Sequence, residues 1–183
     1  MTAMATNLVQ LKLEREFDTM DTDNDGYLDW SDYQQLIDRY TSVFQAGKDD
    51  PRSGQVQAYF QMYWMELIRH AQPSTERLTK EQFVQANRLA IIDTSRLNMV
   101  EAGAHVTFDC MDADGDNEIS KNEYETFLRK VMKVSQPDAI EAFHKLDLDG
   151  DGAISRQEFI RATREYFYSN DPDAAGSLFF GHV

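Results

Sequence analysis

A chain of 183 residues with 42% hydrophobic and 11% aromatic content is long enough to bury a real core and too apolar to be disordered overall. Its 18 basic against 32 acidic residues give a net charge of −14, which repels nucleic acid and anionic membrane surfaces and favours cations or basic partners. Cys110 is alone, which excludes an internal disulfide; no stretch approaches the roughly 18 apolar residues of a membrane span, and Met1 to Glu16 lacks a leader pattern, so a cytoplasmic monomer is expected.

From the N-terminus, Leu8, Val9, Leu11, Leu13 and Phe17 draw an apolar stripe on a helix capped by Thr6 or Asn7. It leads into DTDNDGYLDWSD, Asp21 to Asp32, and Tyr33, Leu36, Ile37 and Tyr40 carry the stripe of an exiting helix. Gly47, Pro51 and Gly54 mark a linker. Tyr59, Met62, Tyr63 and Leu67 then lead a third helix into the quieter stretch Ala71 to Gln82, with Pro73 at the break. Two further acidic stretches follow, DADGDNEISKNE at Asp112 to Glu123 and DLDGDGAISRQE at Asp147 to Glu158, with Pro137 near a helix start between them.

These segments repeat. Phe17, Phe108 and Phe143 stand four residues before each acidic loop, Leu28, Ile119 and Ile154 at its eighth position, and Tyr33, Tyr124 and Phe159 directly after it. Leu67, Leu78 and Phe83 place Ala71 to Gln82 in the same frame, so the chain holds four units. The spacing predicts an all-α fold of about eight helices, with short two-residue strand contacts where the eighth loop positions meet.

A twelve-residue loop supplies a hard cation with oxygens from positions 1, 3, 5, 7, 9 and 12, the seventh through its backbone carbonyl. The first loop offers Asp21, Asp23, Asp25, the carbonyl of Tyr27, Asp29 and Asp32, with Gly26 at the sharp turn of position 6. The third offers Asp112, Asp114, Asp116, the carbonyl of Glu118, Ser120 and Glu123, with Asn117 in place of the glycine. The fourth offers Asp147, Asp149, Asp151, the carbonyl of Ala153, Ser155 and Glu158 around Gly152. The second has Ala71, Pro73, Thr75 and Gln82 at these places, and no metal is expected there. Ser120 with Glu123 and Ser155 with Glu158 also match a helix capping box, which Thr79 and Gln82 keep where the acids are gone; capping alone leaves the acids at positions 1, 3 and 5 unexplained. Asp32 is one methylene shorter than a bidentate Glu, so Mg²⁺ is the competing ion expected at the Asp21–Asp32 site.

With these loops the chain resembles the EF-hand superfamily, and more narrowly the group of sarcoplasmic calcium-binding proteins, calexcitin and calerythrin-like proteins. Likeness extends to the degenerate second unit and the final EYFYSNDPDAAGSLFFG. The resemblance implies four EF-hand units in two pairs packed into one compact globule. An N-terminal pair over residues 1–95 would have one functional loop, and a C-terminal pair over 96–183 would have two, with a tail folded onto the core. It implies a Ca²⁺ buffer or signal-modulating protein. A calcium sensor showing a Met-rich face (Met62, Met65, Met99, Met111, Met132) to a protein target is the alternative. A luciferin-type carrier, its cavity lined by Trp30, Trp64, Tyr59, Tyr63, His105 and His144, is a third. His70, His105, His144 and His182 show no nucleophile, base or metal-ligand partner in the sequence, so no catalysis is expected.

Overall fold

Asn7 accepts the N–H of Gln10 at 3.2 Å and caps helix α1 (Leu8–Met20) in the computed structural model, which describes residues 7–93 and 98–182. Thr6 and the boundary expected at 95/96 lie outside the described residues. Strand β1 (Tyr27–Leu28) and helix α2 (Trp30–Val43) follow, then α3 (Pro51–Ala71), β2 (Leu78–Thr79) and α4 (Lys80–Ile92). The C-terminal half runs α5 (Met99–Met111), β3 (Glu118–Ser120), α6 (Lys121–Thr126), α7 (Gln136–Leu146), β4 (Ala153–Ser155) and α8 (Arg156–Tyr168). Helix α6 continues into a π-helical turn, Phe127–Val131.

The linker expected around Pro51 is shorter than its glycines suggested. Asp50 caps α3, Pro51 occupies its first turn, and Gly54 is already helical. Proline pre-sets the φ that a helix start needs, and twenty-one helical residues outweigh the roughly 1 kcal/mol that one glycine costs.

Capping boxes start α2, α4, α6 and α8 through Asp29, Thr79, Ser120 and Ser155, so all four units keep the same entry geometry. The eighth positions meet as the repeat requires: Leu28 pairs with Leu78 across β1 and β2, and Ile119 with Ile154 across β3 and β4. The second pairing is three residues deep where two were expected. The repeat also reaches the polar surface. Lys80 Nζ stands 2.6 Å from Asp18 and 5.7 Å over the Phe17 ring, while Arg156, its counterpart in the last unit, stands 2.6 Å from Asp109 with its guanidinium 4.1 Å over Phe108.

The three sequence columns form the core: Phe17, Phe108 and Phe143, Leu28, Ile119 and Ile154, and Tyr33, Tyr124 and Phe159 are all buried. Tyr33 gathers Trp64 at 5.2 Å and Trp30 at 6.2 Å between ring centres. The stripe of α1 departs from expectation, because Leu11 is exposed while Lys12 and Glu16 are buried beside Leu13 and Phe17. Lys12 Nζ donates to the carbonyls of Glu165 at 3.2 Å and Ser169 at 3.0 Å at the end of α8, the first of which also accepts the Ser169 N–H at 2.9 Å. The Tyr166 hydroxyl returns a bond to the Lys12 carbonyl at 2.8 Å, fastening α1 to α8.

After α8 the chain turns back through a 3-10 turn, Ala175–Leu178. Gly176 sits so close to the Ala162 carbonyl that no side chain fits there. Phe179 is then buried at 5.1 Å from Phe159, its carbonyl accepting the Tyr124 hydroxyl at 3.0 Å, and Phe180 packs 5.0 Å from Tyr166.

Candidate metal centres

Tight turns put the acids of each loop on one centre. Position 6 is left-handed in all three loops, at Gly26 (φ 83°), Asn117 (φ 66°) and Gly152 (φ 93°), so asparagine supplies the turn that glycine supplies elsewhere. Position 4 is left-handed as well, at Asn24, Gly115 and Gly150. The aligned loops carry that requirement as Asn or Gly at position 4 of each.

The first carboxylate of each loop is pinned from inside. Asp21 accepts the N–H groups of Asp25 (3.1 Å) and Gly26 (3.0 Å), Asp112 those of Gly115 (2.9 Å) and Asn117 (3.0 Å), and Asp147 those of Asp151 (3.1 Å) and Gly152 (3.0 Å). Three trios result, each with one oxygen per residue inside a 4.8 Å sphere of mutual distances: Asp21, Asp23 and Asp25; Asp112, Asp114 and Glu123; Asp147, Asp149 and Glu158. Asp116 and Asp151 stand outside their trios and accept the N–H of Glu118 (2.9 Å) and of Ala153 (3.0 Å). Carboxylates this close repel by about 1 kcal/mol per pair in water and several times that where solvent is thinned. A donor set made of hard oxygens, held together against its own charge, fits a hard divalent cation.

Position 12 divides the loops. Glu123 spans the N–H of Ala113 (2.9 Å) and that of Ser120 (2.8 Å), and Glu158 spans the N–H of Leu148 (2.9 Å) and that of Ser155 (2.8 Å). Asp32 accepts the Asp29 N–H at 3.0 Å and the Thr22 hydroxyl at 3.3 Å, with the Thr22 backbone N–H also acting on it, and it stands outside its trio. Thr22 is a residue that ligand spacing alone does not single out. Burial lifts the carboxyls of Asp32 and Asp112 above their ordinary range, while the Ser31 hydroxyl, 2.7 Å away, is the main influence holding Asp29 below it. Ser120 and Ser155 donate to the position-12 glutamates at 2.7 and 2.9 Å, so their hydroxyls serve the caps.

The EF-hand domain pair matches residues 101–164, and the EF hand matches residues 13–37. The chain carries EF-hands in both halves. No curated protein matches it. Among solved structures, a sarcoplasmic calcium-binding protein from amphioxus superposes with a TM-score of 0.73 at 17% identity, covering 97% of this chain and 99% of its own. A Streptomyces coelicolor calcium-binding protein gives 0.72 at 24% identity over 89% and 99%, and the calcium-loaded apo form of coelenterazine-binding protein from Renilla muelleri gives 0.67 at 19% identity over the whole of both chains. At these identities the likeness is one of fold, that of calcium-binding EF-hand proteins.

In the degenerate second EF-hand no acidic trio forms among the described residues, and Arg77 instead reaches across to the first loop, where it meets Asp25. The histidine reading needs correction. His70 Nε2 lies 3.8 Å from Glu66, one helical turn back, and 3.7 Å from Asp93, making a further cluster of metal-ligand type. The guanidinium of Arg69 stands in its midst, 2.7 Å from Glu66 and 2.6 Å from Asp93. The Glu66–His70 spacing was visible in sequence; the third member comes from α4's end and was not.

Replacing Asp32 by Glu is expected to reproduce the reach of Glu123 and Glu158 and to raise the Ca²⁺ over Mg²⁺ preference of one site by about tenfold, roughly 1.4 kcal/mol. Competition calorimetry with the two ions reads the change, and an unaltered preference contradicts the assignment of Asp32.

Proposed function

We propose that the protein is a cytoplasmic calcium buffer, binding Ca²⁺ through the first, third and fourth loops, with Mg²⁺ competing at Asp21–Asp32. The ligands assigned are Asp21, Asp23, Asp25, Tyr27, Asp29 and Asp32; Asp112, Asp114, Asp116, Glu118, Ser120 and Glu123; and Asp147, Asp149, Asp151, Ala153, Ser155 and Glu158. Tyr27, Glu118 and Ala153 act through their carbonyls. A bound divalent cation supplies the positive charge the trios lack, and three of them bring the formal charge from −14 to −8. The carboxylates bind and orient; no residue is assigned a catalytic role.

The observation that carries buffering over sensing is the buried tail. A sensor opens an apolar groove for a target helix. Here Phe179 and Phe180, with Tyr40, Phe60 and Phe159, line the same small central cavity, so the chain supplies its own apolar occupant. Of the methionines that could build a docking face, Met99, Met111 and Met132 are buried, while Met62 and Met65 on α3 are exposed and keep the sensor reading open to test.

The carrier reading has less room. Of the six residues expected to line a cavity, Tyr59 and Tyr63 do so and Trp30, Trp64, His105 and His144 do not. The cavity measures about 80 Å³. Roughly 150 Å³ accommodates benzene. Calcium titration in millimolar magnesium, with a dye that reports apolar surface, separates the readings. Constant or falling dye binding on saturation is expected; a rise means a sensor.

A further inference from the structure

Arg77 occupies position 7 of the EF-hand that has lost its carboxylates, and the pairing of Tyr27 with Thr79 sets it against the first loop. Its guanidinium lies 4.5 Å over the Tyr27 ring. One terminal nitrogen contacts Asp25, and Nε stands 3.6 Å from Asp29 Oδ2, buried and without a hydrogen-bond partner among the described residues. Asp25 and Asp29 are positions 5 and 9 of the first loop, flanking the paired residues Tyr27 and Leu28. In the C-terminal pair the matching residue is Ala153, which has nothing to extend toward Asp116 or Ser120. The degenerate loop therefore delivers a monovalent cation to two ligand carboxylates of the loop beside it; in the C-terminal pair Arg156 reaches the third loop at the Asn117 side-chain oxygen, 3.0 Å away, and not at a ligand carboxylate.

We propose that Arg77 is a tethered competitor for the divalent ion of the first site: it holds Asp25 in the metal-free loop and must release it before that loop can close on Ca²⁺ or Mg²⁺. The proposal rests on reading the three loops as metal sites. Two consequences follow. The apparent affinity of the first site is multiplied by the fraction of time Arg77 is undocked, and so reduced. The metal-free loop is relieved of part of its repulsion, which steadies the N-terminal pair at low calcium. A neutral side chain cannot do either.

The test compares wild type with R77Q and K80Q by calorimetric titration of Ca²⁺ and by thermal unfolding with and without chelator. Gln keeps the side-chain stem and removes the charge. In R77Q the affinity of one site is expected to rise about tenfold while the other two stay within twofold, and the unfolding midpoint falls more in the metal-free than in the loaded protein. K80Q removes one positive charge three residues away and should leave all sites within twofold. Unchanged affinity in R77Q overturns the proposal, as do equal gains in R77Q and K80Q, which would make Arg77 part of the general field. Equal loss of stability with and without metal would give it a merely structural role. Failure of wild type itself to take up calcium would instead remove the metal-site reading on which the proposal stands.

Discussion

Chelator should lower the thermal midpoint of the protein by about 15–30 °C relative to saturating calcium, the largest effect expected of any simple treatment. A ligand present at a hundredfold over its dissociation constant stabilises the folded chain by about 2.7 kcal/mol per site, so three sites contribute on the order of 8 kcal/mol. For a domain of this size each kcal/mol moves the midpoint by about 2–4 °C. The cause lies in the trios: oxygens of Asp21, Asp23 and Asp25 and of the two Glu-closed sets come within 4.8 Å of one another, and nothing in the unfolded chain holds them there. Calorimetric scans with calcium and with chelator measure the gap. Coincident midpoints would show that the loops fold without a cation and would remove the basis of the proposed function.

Replacing Glu16 by Gln should abolish a loss of stability that wild type shows between weakly acidic and weakly alkaline pH. Glu16 is buried among Tyr33, Tyr63 and the cavity wall, and its Oε2 has no hydrogen-bond partner among the described residues. Burial pushes its carboxyl from the ordinary 4.5 up to about 8. Between those values the folded chain keeps a proton that the unfolded chain has released, so stability is full below about pH 4.5 and declines as pH rises toward 8. Each pH unit in that window costs about 1.4 kcal/mol, giving a ceiling of roughly 5 kcal/mol. Gln mimics the protonated acid. The variant should match wild type near pH 4 and exceed it by about 3–5 kcal/mol near pH 8. Denaturant unfolding of both proteins in chelator reads this as a difference, in which the titration of the loops cancels. A constant offset across pH would mean that Glu16 finds compensation for its charge.

The sequence made most of the frame legible because the frame repeats. One chain carries four samples of each position, so the columns Phe17, Phe108 and Phe143 or Leu28, Ile119 and Ile154 stand out without any relative to compare. The pairing of Leu28 with Leu78 followed from the same register. What stayed hidden depends on contacts made once. Lys12 and Glu16 read as the polar face of α1, and Lys12 is buried because the carbonyls of Glu165 and Ser169 come to it from the far end of the chain. Nothing in the sequence singles out Arg77, whose position contributes only a backbone carbonyl to a metal loop; it is the β1–β2 pairing that gives it the first loop as a partner. Gly54 suggested a linker, and the helix started by Pro51 overrode it. The split at position 12 was legible as one missing methylene; the added bond from the Thr22 hydroxyl to Asp32 was not.

The clustering of Trp30 and Trp64 around Tyr33 places both indoles of the chain in its N-terminal half, and Trp30 begins the helix that leaves the first loop. No tryptophan follows Trp64, so light absorbed at the red edge of the indole band is emitted from the N-terminal half. The native protein thus carries its own optical label, able to follow the weaker-closing first loop in real time while the other two remain dark, with no dye and no engineered probe.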